Sequence, residues 1–269
     1  MYFLGIDVGS IATKAVLLSE NSTIIASDVV KTGARIKKAI TIVNDSVLKE
    51  GRISRDDVSF IVATGYGRKK VGSAQRTITE ITAQAHGALY YFPKTRVIID
   101  IGGQDTKVTE LTEHGEINDF VMNDKCAAGT GRFLEVMAHI LDIPLETFGE
   151  RALTSTKNLK INSTCTVFAE SEVVSLISQE ERIEDIASAI HSSVVDRIIS
   201  LVKKIKIKDE ITVSGGVSNN IAICEIIKRR LHRNINIPPN PQIVGAVGAA
   251  LLAKKYSPSE KTFIMNSVK

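Results

Sequence analysis

The chain has 269 residues, of which 43% are hydrophobic, 24% are charged and 5% are aromatic, and its net charge is +4. This length suffices for one large domain or two medium ones, and the balance of apolar and charged residues excludes wholesale disorder. No apolar run approaches the roughly 20 residues that span a bilayer, and Asp7 interrupts the first apolar run, which excludes a secretory signal; we therefore expect a cytoplasmic protein with no membrane partner.

Two segments share one pattern of strand, tight turn and strand. The first hairpin, residues 3–18, reads FLGIDVGSIATKAVLL, and the second hairpin, residues 97–111, reads VIIDIGGQDTKVTEL. Both contain Asp-[Val/Ile]-Gly-[Ser/Gly]-x-x-Thr-Lys at identical spacing. The repeat is far too long for a solenoid, so it predicts two similar half-domains.

The hairpins carry the residue types that phosphate binding requires. A glycine turn lets backbone N–H groups approach phosphate oxygens without interference from a Cβ atom. An Asp at the end of each first strand is suited to Mg²⁺, held through water. Neither hairpin is a Walker A loop or a GxGxxG fingerprint, and a pair of ordinary hairpins is the alternative interpretation.

Two cysteines precede predicted helices. Apolar residues from Phe133 to Leu141 have the spacing of a buried helix face, which places Cys126 just before a helix, where the positive end of the dipole stabilises a thiolate or an anionic cluster. Cys165 lies in INSTCTVFAESEV, before a helix predicted to begin near Phe168. Without a CxxC motif, buried structural thiols remain an alternative for both cysteines.

The last third of the chain adds a glycine-containing loop and two helices. EITVSGGVSNN, residues 210–220, predicts a strand that ends at Gly215 and Gly216 and leads through Ser and Asn caps into a helix. Paired glycines there allow a ligand such as ribose and adenine to approach the backbone; an ordinary capped turn is the alternative. Cys224 has the helical spacing of a small core residue, and residues 241–255 predict a helix of small residues for close packing.

In this order, the three motifs resemble the phosphate-1, phosphate-2 and adenosine motifs of the acetate kinase–sugar kinase–heat-shock chaperone–actin superfamily. The resemblance implies an α/β fold with two RNase H-like (actin-like ATPase) domains around a nucleotide cleft. We expect the first domain at residues 1–92 and the second at residues 93–242. Residues 243–269 would form a C-terminal helix that packs back on the first domain.

GIDVGSIATK, DIGGQDTK, NDKCAAGTGRFLE, STCTVFAESEV and SGGVSNN together resemble one branch of that superfamily. The branch comprises activators of 2-hydroxyacyl-CoA dehydratases and ATPase subunits of benzoyl-CoA reductases. The resemblance covers residues 3 to about 254, and it implies that each protomer of a homodimer supplies Cys126 and Cys165 to one shared 4Fe–4S cluster. Four thiolates from two symmetric copies match what such a cluster needs.

The same resemblance implies the other site residues. ATP or ADP with Mg²⁺ would bind between the hairpins, with Asp7 and either Asp100 or Asp105 near the metal. Gln104 or Asp105 would position water, so the catalytic assignments are Asp7, Gln104 and Asp105. The residues assigned to the nucleotide are Gly9, Ser10, Thr13, Lys14, Asp100, Gly102, Gly103, Gly215, Gly216 and Val217. One departure is that Ala83 and Gln84 stand where many relatives carry Cys-His.

The implied activity is ATP hydrolysis coupled to the transfer of one electron. By resemblance, hydrolysis changes the domain angle and moves the helix after Cys126. Ferredoxin or flavodoxin would supply the electron, and a dehydratase or reductase component with iron–sulfur centres would receive it and use it to dehydrate a 2-hydroxyacyl-CoA through a ketyl radical.

Two alternatives from other classes remain. An amino-sugar kinase of the same superfamily would need an Asp base, for which Asp119 or Asp124 is available, but it leaves both cysteine segments unexplained. An actin- or chaperone-like nucleotide switch is the third hypothesis. Basic runs at 68–70, 203–208 and 228–233 are typical of solvated helix faces or of docking to an acidic partner. Few aromatic residues and no recognised nucleic-acid module argue against a nucleic-acid partner.

Overall fold

The computed structural model describes residues 1–124, 126–161, 166–206 and 210–258. The chain forms two compact units. The first unit comprises residues 1–90 and the chain from Ile243 onward, and the second unit comprises residues 91–242.

The first unit is a five-stranded sheet with helices. Its strands lie in the order β3-β2-β1-β4-β5, with β1 antiparallel to β2 and parallel to β4. Central strand β1 is a nearly continuous apolar run because it is buried along almost its whole length. The elements are β1 (Tyr2–Val8), β2 (Ala12–Ser19), β3 (Ile24–Lys31), α1 (Ile36–Gly51), β4 (Val58–Thr64), β5 (Arg76–Thr77), α2 (Glu80–Tyr91) and the C-terminal helix α8 (Val244–Tyr256).

The second unit repeats this arrangement with longer helical insertions. Its strands lie in the order β10-β9-β6-β7-β8, with β6 antiparallel to β7 and parallel to β9. The elements are β6 (Val97–Ile101), β7 (Thr106–Leu111), β8 (Ile117–Asn123), α3 (Gly131–Ile140), α4 (Leu145–Leu153), α5 (Thr166–Ser178), α6 (Ile183–Val202), β9 (Ile211–Ser214), α7 (Ile221–Leu231) and β10 (Ile235–Asn236).

The two hairpins occupy equivalent places in the two sheets. In the first hairpin Asp7 pairs with Lys14 across the strands, and in the second Asp100 pairs with Lys107 in the same register. In each sheet the first strand of the hairpin also pairs in parallel with the strand that follows a helical segment, β4 or β9. The internal repeat in the sequence therefore corresponds to a repeated topology, and the predicted α/β class is confirmed.

Small residues allow helix α8 to approach its neighbours closely within the first unit. A Cβ atom added to Gly5 of β1 would collide with the α8 backbone at Ala246, and one added to Gly248 of α8 would collide with the backbone of Ala83. Helix α8 buries its Ala and Gly residues along most of its length. Close backbone contact is thus the physical reason for the glycines and alanines of this helix.

The core of the second unit lies between the sheet and helices α3, α4, α6 and α7. Its buried residues include Ile99 and Val213 from the sheet, Phe148 from α4, Ile190 from α6 and Ile227 from α7. Across the described ranges of the chain, no helix has both the length and the apolar character needed to cross a membrane.

Candidate functional site

The turn of the first hairpin is closed by its own backbone. The N–H of Gly9 donates to the carbonyl of Ala12 at 3.0 Å, and a Cβ atom on Gly9 would lie only 2.8 Å from that oxygen. Ser10 is exposed at the tip. The turn therefore needs glycine at its start, and it presents backbone and hydroxyl groups of the kind that bind phosphate.

The charged pair of the first hairpin lies below this turn. Lys14 Nζ is 3.1 Å from Asp7 Oδ2, and both side chains are largely buried. Two glycines flank the carboxylate, because a Cβ atom on Gly65 would collide with Asp7 Oδ1 and one on Gly245 would lie 3.1 Å from Oδ2. The carboxylate of Asp7 is thus packed against Lys14 and two glycines, and its predicted role near Mg²⁺ stays a prediction.

Thr13 lies behind the turn of the first hairpin and supports it through Thr32. Its hydroxyl is buried and lies 2.9 Å from the hydroxyl of Thr32, which in turn donates to the carbonyl of Gly9 at 2.8 Å. The described contacts of Thr13 are thus with the protein, behind the turn. Its predicted contact with phosphate stays a prediction.

The second hairpin has the same turn with a different charge arrangement. The N–H of Gly102 donates to the carbonyl of Asp105 at 2.8 Å, and a Cβ atom on Gly102 would lie 2.6 Å from Asp105 Oδ1. Lys107 Nζ lies 2.6 Å from Asp105 Oδ2. Gln104 is exposed at the tip, and its predicted role in positioning water stays a prediction.

The glycine loop, residues 215–220, comes next to the second hairpin. Gly215 has φ of +89°, and a Cβ atom there would lie 2.7 Å from Asp100 Oδ1. Ser214 Oγ is 3.5 Å from the same oxygen. Gly216 is exposed, whereas Val217 is buried. Within the second unit the structure therefore brings together Asp100 and the loop that the sequence assigns to the adenosine.

Helix α3 begins directly on the second hairpin. The N–H groups of Gly131 and Arg132 donate to the carbonyls of Gly102 and Gly103 at 3.0 and 2.8 Å. The buried hydroxyl of Thr106 also donates to the carbonyl of Gly129 at 2.7 Å. The first N–H groups of a helix have no partner within the helix, and here two of them are satisfied by the turn of the second hairpin.

Cys126 lies five residues before α3 and is exposed. The loop around it is held by Asn123, whose Nδ2 donates to the carbonyls of Cys126 and Ala128 at 2.9 and 3.1 Å. Cys165, the second predicted ligand, lies outside the described residues. Helix α5 begins at Thr166, directly after it.

Cys224, unlike the exposed Cys126, lies inside the protein. It is buried in the core, its Sγ lies 3.3 Å from the carbonyl of Ser218, and burial raises the pKa of its thiol to about 11. A thiol with this pKa stays protonated at neutral pH, whereas a metal ligand must be a thiolate. The predicted core role of Cys224 is confirmed.

Sequence reasoning missed several residues that shape these sites. Gly65 belongs to no motif, and for Gly245 the sequence predicts only close packing of the last helix. Asn123 begins the NDKCAAGTGRFLE segment without an assigned role, although an Asn three residues before an expected ligand is a recognisable signal for a loop anchor. The departure at Gln84 falls beside Asp7, because a Cβ atom on Gly245 would be 3.4 Å from Gln84 Nε2 and 3.1 Å from Asp7 Oδ2. Within the described ranges, no group of three or more His, Cys, Asp or Glu side chains is placed to hold a metal ion.

Two five-stranded sheets of one topology, each with a glycine-turned hairpin carrying Asp and Lys, define a protein of the actin-like ATPase class. The sequence narrows the class further. The chain belongs to the BadF/BadG/BcrA/BcrD ATPase family, which it matches over residues 4–253. Family membership confirms the resemblance drawn from the motifs and establishes the protein as an ATPase.

Named relatives agree with this assignment. The chain is 43% identical to the 2-hydroxyisocaproyl-CoA dehydratase activator of Clostridioides difficile over 94% of this chain and 95% of that one. It is 41% identical to the (R)-2-hydroxyglutaryl-CoA dehydratase activating ATPase of Acidaminococcus fermentans over 95% and 98% of the two chains. A solved structure of the Clostridium difficile activator with bound ADPNP superposes with a TM-score of 0.92 at 41% identity, covering 100% of this chain and 98% of that one.

Proposed function

We propose that this ATPase activates a 2-hydroxyacyl-CoA dehydratase-type partner by delivering single electrons to it at the expense of ATP. Relatives over 40% identical along nearly the whole chain are named activators of such dehydratases. A more distant relative, 28% identical, belongs to the benzoyl-CoA reductase of Thauera aromatica. A dehydratase or reductase component with iron–sulfur centres is therefore the proposed partner.

One observation carries the proposal: the helix that follows Cys126 starts on the phosphate hairpin. The carbonyls of Gly102 and Gly103 accept hydrogen bonds from the first two N–H groups of α3. A change in the ligand at this turn is therefore transmitted to the helix and to the loop of Cys126. This contact supplies a physical link between ATP hydrolysis and the environment of the thiol.

Both hairpins and the glycine loop provide the proposed nucleotide contacts. The turns at Gly9 and Gly102 leave no room for a Cβ atom, and their N–H and side-chain groups suit phosphate oxygens. Hydrolysis breaks the bond between the γ-phosphorus and the bridging oxygen as water adds to phosphorus, which gives ADP and inorganic phosphate. Gln104 and Asp105 at the second turn would orient that water. Asp7 and either Asp100 or Asp105 are the proposed ligands of Mg²⁺, held through water, and the bound ion would supply positive charge to the phosphates.

The cysteines fit a cluster shared between two copies of the chain. Cys126 is exposed, whereas Cys224 is buried and protonated, so Cys126 and Cys165 are the proposed ligands from each protomer of a homodimer. Val167 and Phe168, which follow Cys165 on α5, are 67% and 68% exposed, and large apolar side chains exposed together suit burial in an interface. A bound 4Fe–4S cluster would carry one electron at a time from ferredoxin or flavodoxin, as donor, to the partner.

The test is purification without oxygen followed by iron and sulfide analysis and electron paramagnetic resonance. We expect dimers with about four iron and four sulfide per dimer, and a resonance signal that changes when ATP is added. Cys126→Ser and Cys165→Ser should each abolish the cluster. Cys224→Ser is the matched control, and it should retain the iron because the side chain lies in the core.

Two results would contradict the proposal. A colourless monomer after anaerobic reconstitution with iron and sulfide would exclude the shared cluster. Loss of iron in Cys224→Ser alone would show that the ligand assignment is wrong. Transfer of phosphate from ATP to a sugar acceptor would instead indicate the kinase hypothesis, for which Asp119 lies on exposed strand β8.

A further inference from the structure

His191 is a buried polar residue to which none of the sequence motifs assigns a role. It lies on α6 and has no exposed surface. Its Nδ1 is 2.7 Å from the carbonyl of Ala187, and its Nε2 is 2.9 Å from Nδ2 of Asn220. Because a carbonyl only accepts hydrogen bonds, Nδ1 carries the hydrogen and Nε2 accepts from the Asn220 amide.

The charge state of His191 keeps this arrangement in place. Burial lowers the pKa of His191 to about 4, so the ring is neutral at physiological pH. A neutral ring with its hydrogen on Nδ1 has a free lone pair on Nε2. His191 is therefore a fixed acceptor for Asn220 under working conditions.

Asn220 uses both ends of its amide. Its Nδ2 donates to His191, and its Oδ1 accepts from the N–H of Ile223 at 3.2 Å, which caps α7. Turning the amide over would face an oxygen toward the lone pair of Nε2 and a donor toward an N–H group. The pair of contacts therefore specifies one orientation of Asn220 and ties the start of α7 to α6.

Helix α4 packs against both His191 and Asn220. The ring of Phe148 meets the ring of His191 edge-on with centroids 4.5 Å apart. A Cβ atom on Gly149 would lie 2.5 Å from Asn220 Oδ1, so glycine is required where α4 passes the amide. Three helices thus hold the Asn220 side chain.

Asn220 is also the last residue of the glycine loop. Its N–H donates to the carbonyl of Val217 at 2.9 Å. At the other end of the loop the N–H of Gly215 donates to the carbonyl of Pro241 at 2.9 Å. Hydrogen bonds thus fix the loop at both ends. Through its contact with Asn220, His191 stabilises the end that leads into α7.

We infer that His191 is a positioning residue for the nucleotide, because its acceptor nitrogen holds Asn220 and thereby the glycine loop that contacts the adenosine moiety. The inference rests on the proposed nucleotide-binding role of that loop. It predicts an effect on nucleotide affinity and little effect on hydrolysis, since His191 acts through Asn220 on the end of the glycine loop and not on the turns of the hairpins.

Two substitutions separate the two hydrogen bonds of the ring. In His191→Asn the amide reaches Ala187 as Nδ1 does but offers no acceptor to Asn220. In His191→Gln the longer side chain places an amide oxygen at the position of Nε2. We expect the KM and Kd for MgATP to rise about tenfold in His191→Asn, whereas kcat stays within about twofold, and His191→Gln should restore the affinity.

Asn220→Ser provides an independent test that leaves the core intact. Serine caps α7 as well as asparagine does, but it is too short to reach His191. Its affinity for MgATP should fall as in His191→Asn, and the double variant should be no weaker than either single variant, since both remove the same contact. Calorimetric titration with MgATP and steady-state phosphate release provide the measurements.

The outcomes separate this inference from the proposed function. If the unaltered protein does not bind MgATP, the proposed function fails. If it binds MgATP but His191→Asn and His191→Gln have equal affinities, or if both lower kcat and melting temperature in parallel, His191 is only a packing residue and the inference is overturned.

Discussion

Replacing His191 by Gln should make the stability of the folded protein less sensitive to mild acid. Burial holds the pKa of His191 at about 4 in the folded protein, below the value of about 6.5 for histidine in an unfolded chain. As the pH falls below 6.5, the unfolded chain binds the proton first. The stability that neutral His191 allows is present above that pH and is lost as the pH falls toward 4.

The size of the effect follows from this difference in pKa. The full loss corresponds to about 3 kcal/mol, and about 2 kcal/mol of it falls between pH 7 and pH 5. Glutamine does not titrate in this range but retains an acceptor for Asn220. The free energy of unfolding of His191→Gln should therefore decline less over this range than that of the unaltered protein, by about this amount.

Urea unfolding of both proteins at several pH values, followed by circular dichroism, measures the difference. Other groups that titrate, including His86, whose pKa burial and the charge of Lys255 lower, contribute equally to both proteins and cancel. A nitrogen-15 spectrum of the histidine rings at pH 6 gives a direct check, since His191 should be neutral with its hydrogen on Nδ1. Parallel pH profiles for the two proteins, or a protonated His191 at pH 6, would refute the reasoning.

Three further predictions concern close packing, a buried carboxylate and the glycine loop. Gly248→Ala should lower stability by about 1–3 kcal/mol in thermal unfolding because its Cβ atom would collide with the backbone of Ala83, whereas Gly72→Ala should be nearly neutral since nothing lies within 4 Å. Asp185→Asn should destabilise the protein in urea unfolding at pH 7, because hydrogen bonds from the Lys157 and Thr156 N–H groups and the Ser155 hydroxyl lower the pKa of Asp185. Gly215→Ala should weaken MgATP binding at least about tenfold in calorimetric titration, because its φ of +89° disfavours any side chain.

Each of these predictions has a result that would contradict it. Equal melting temperatures for Gly248→Ala and Gly72→Ala would show that α8 shifts without cost. The loss of unfolding free energy in Asp185→Asn should become smaller as the pH falls through the lowered pKa of Asp185, since the unaltered protein then loses the same charge. A loss that stays constant with pH would contradict this cause. Unchanged affinity in Gly215→Ala would remove the glycine loop from the nucleotide site.

Local patterns were sufficient for the repeated hairpins, and the resemblance carried by these motifs was sufficient for the α/β class. Asp7 with Lys14 and Asp100 with Lys107 lie at the same spacing in the sequence, and spacing across a tight turn fixes the register of a hairpin. The shared register in the two sheets follows from this. The helix after Cys126 could also be predicted from the sequence, because its apolar residues repeat with the helical period.

Local sequence patterns do not predict contacts between distant segments. Spacing alone does not show that α3 begins on the carbonyls of Gly102 and Gly103, since the 28 residues between the bonded pairs have no preferred path on local grounds. The same holds for His191 and Asn220, which are 29 residues apart and look like two unremarkable helix residues in the sequence.

The sequence by itself determined the family, the two repeated hairpins and the two cysteine segments, because these depend on residue types at short, fixed spacings. Tertiary structure decided which groups act together. It showed that the Cys224 thiol is buried in the core, which raises its pKa, that two glycines pack against the carboxylate of Asp7, and that the turn of the second hairpin and helix α3 share hydrogen bonds. Burial and hydrogen bonding between distant segments arise only when the chain packs, so no local pattern specifies them.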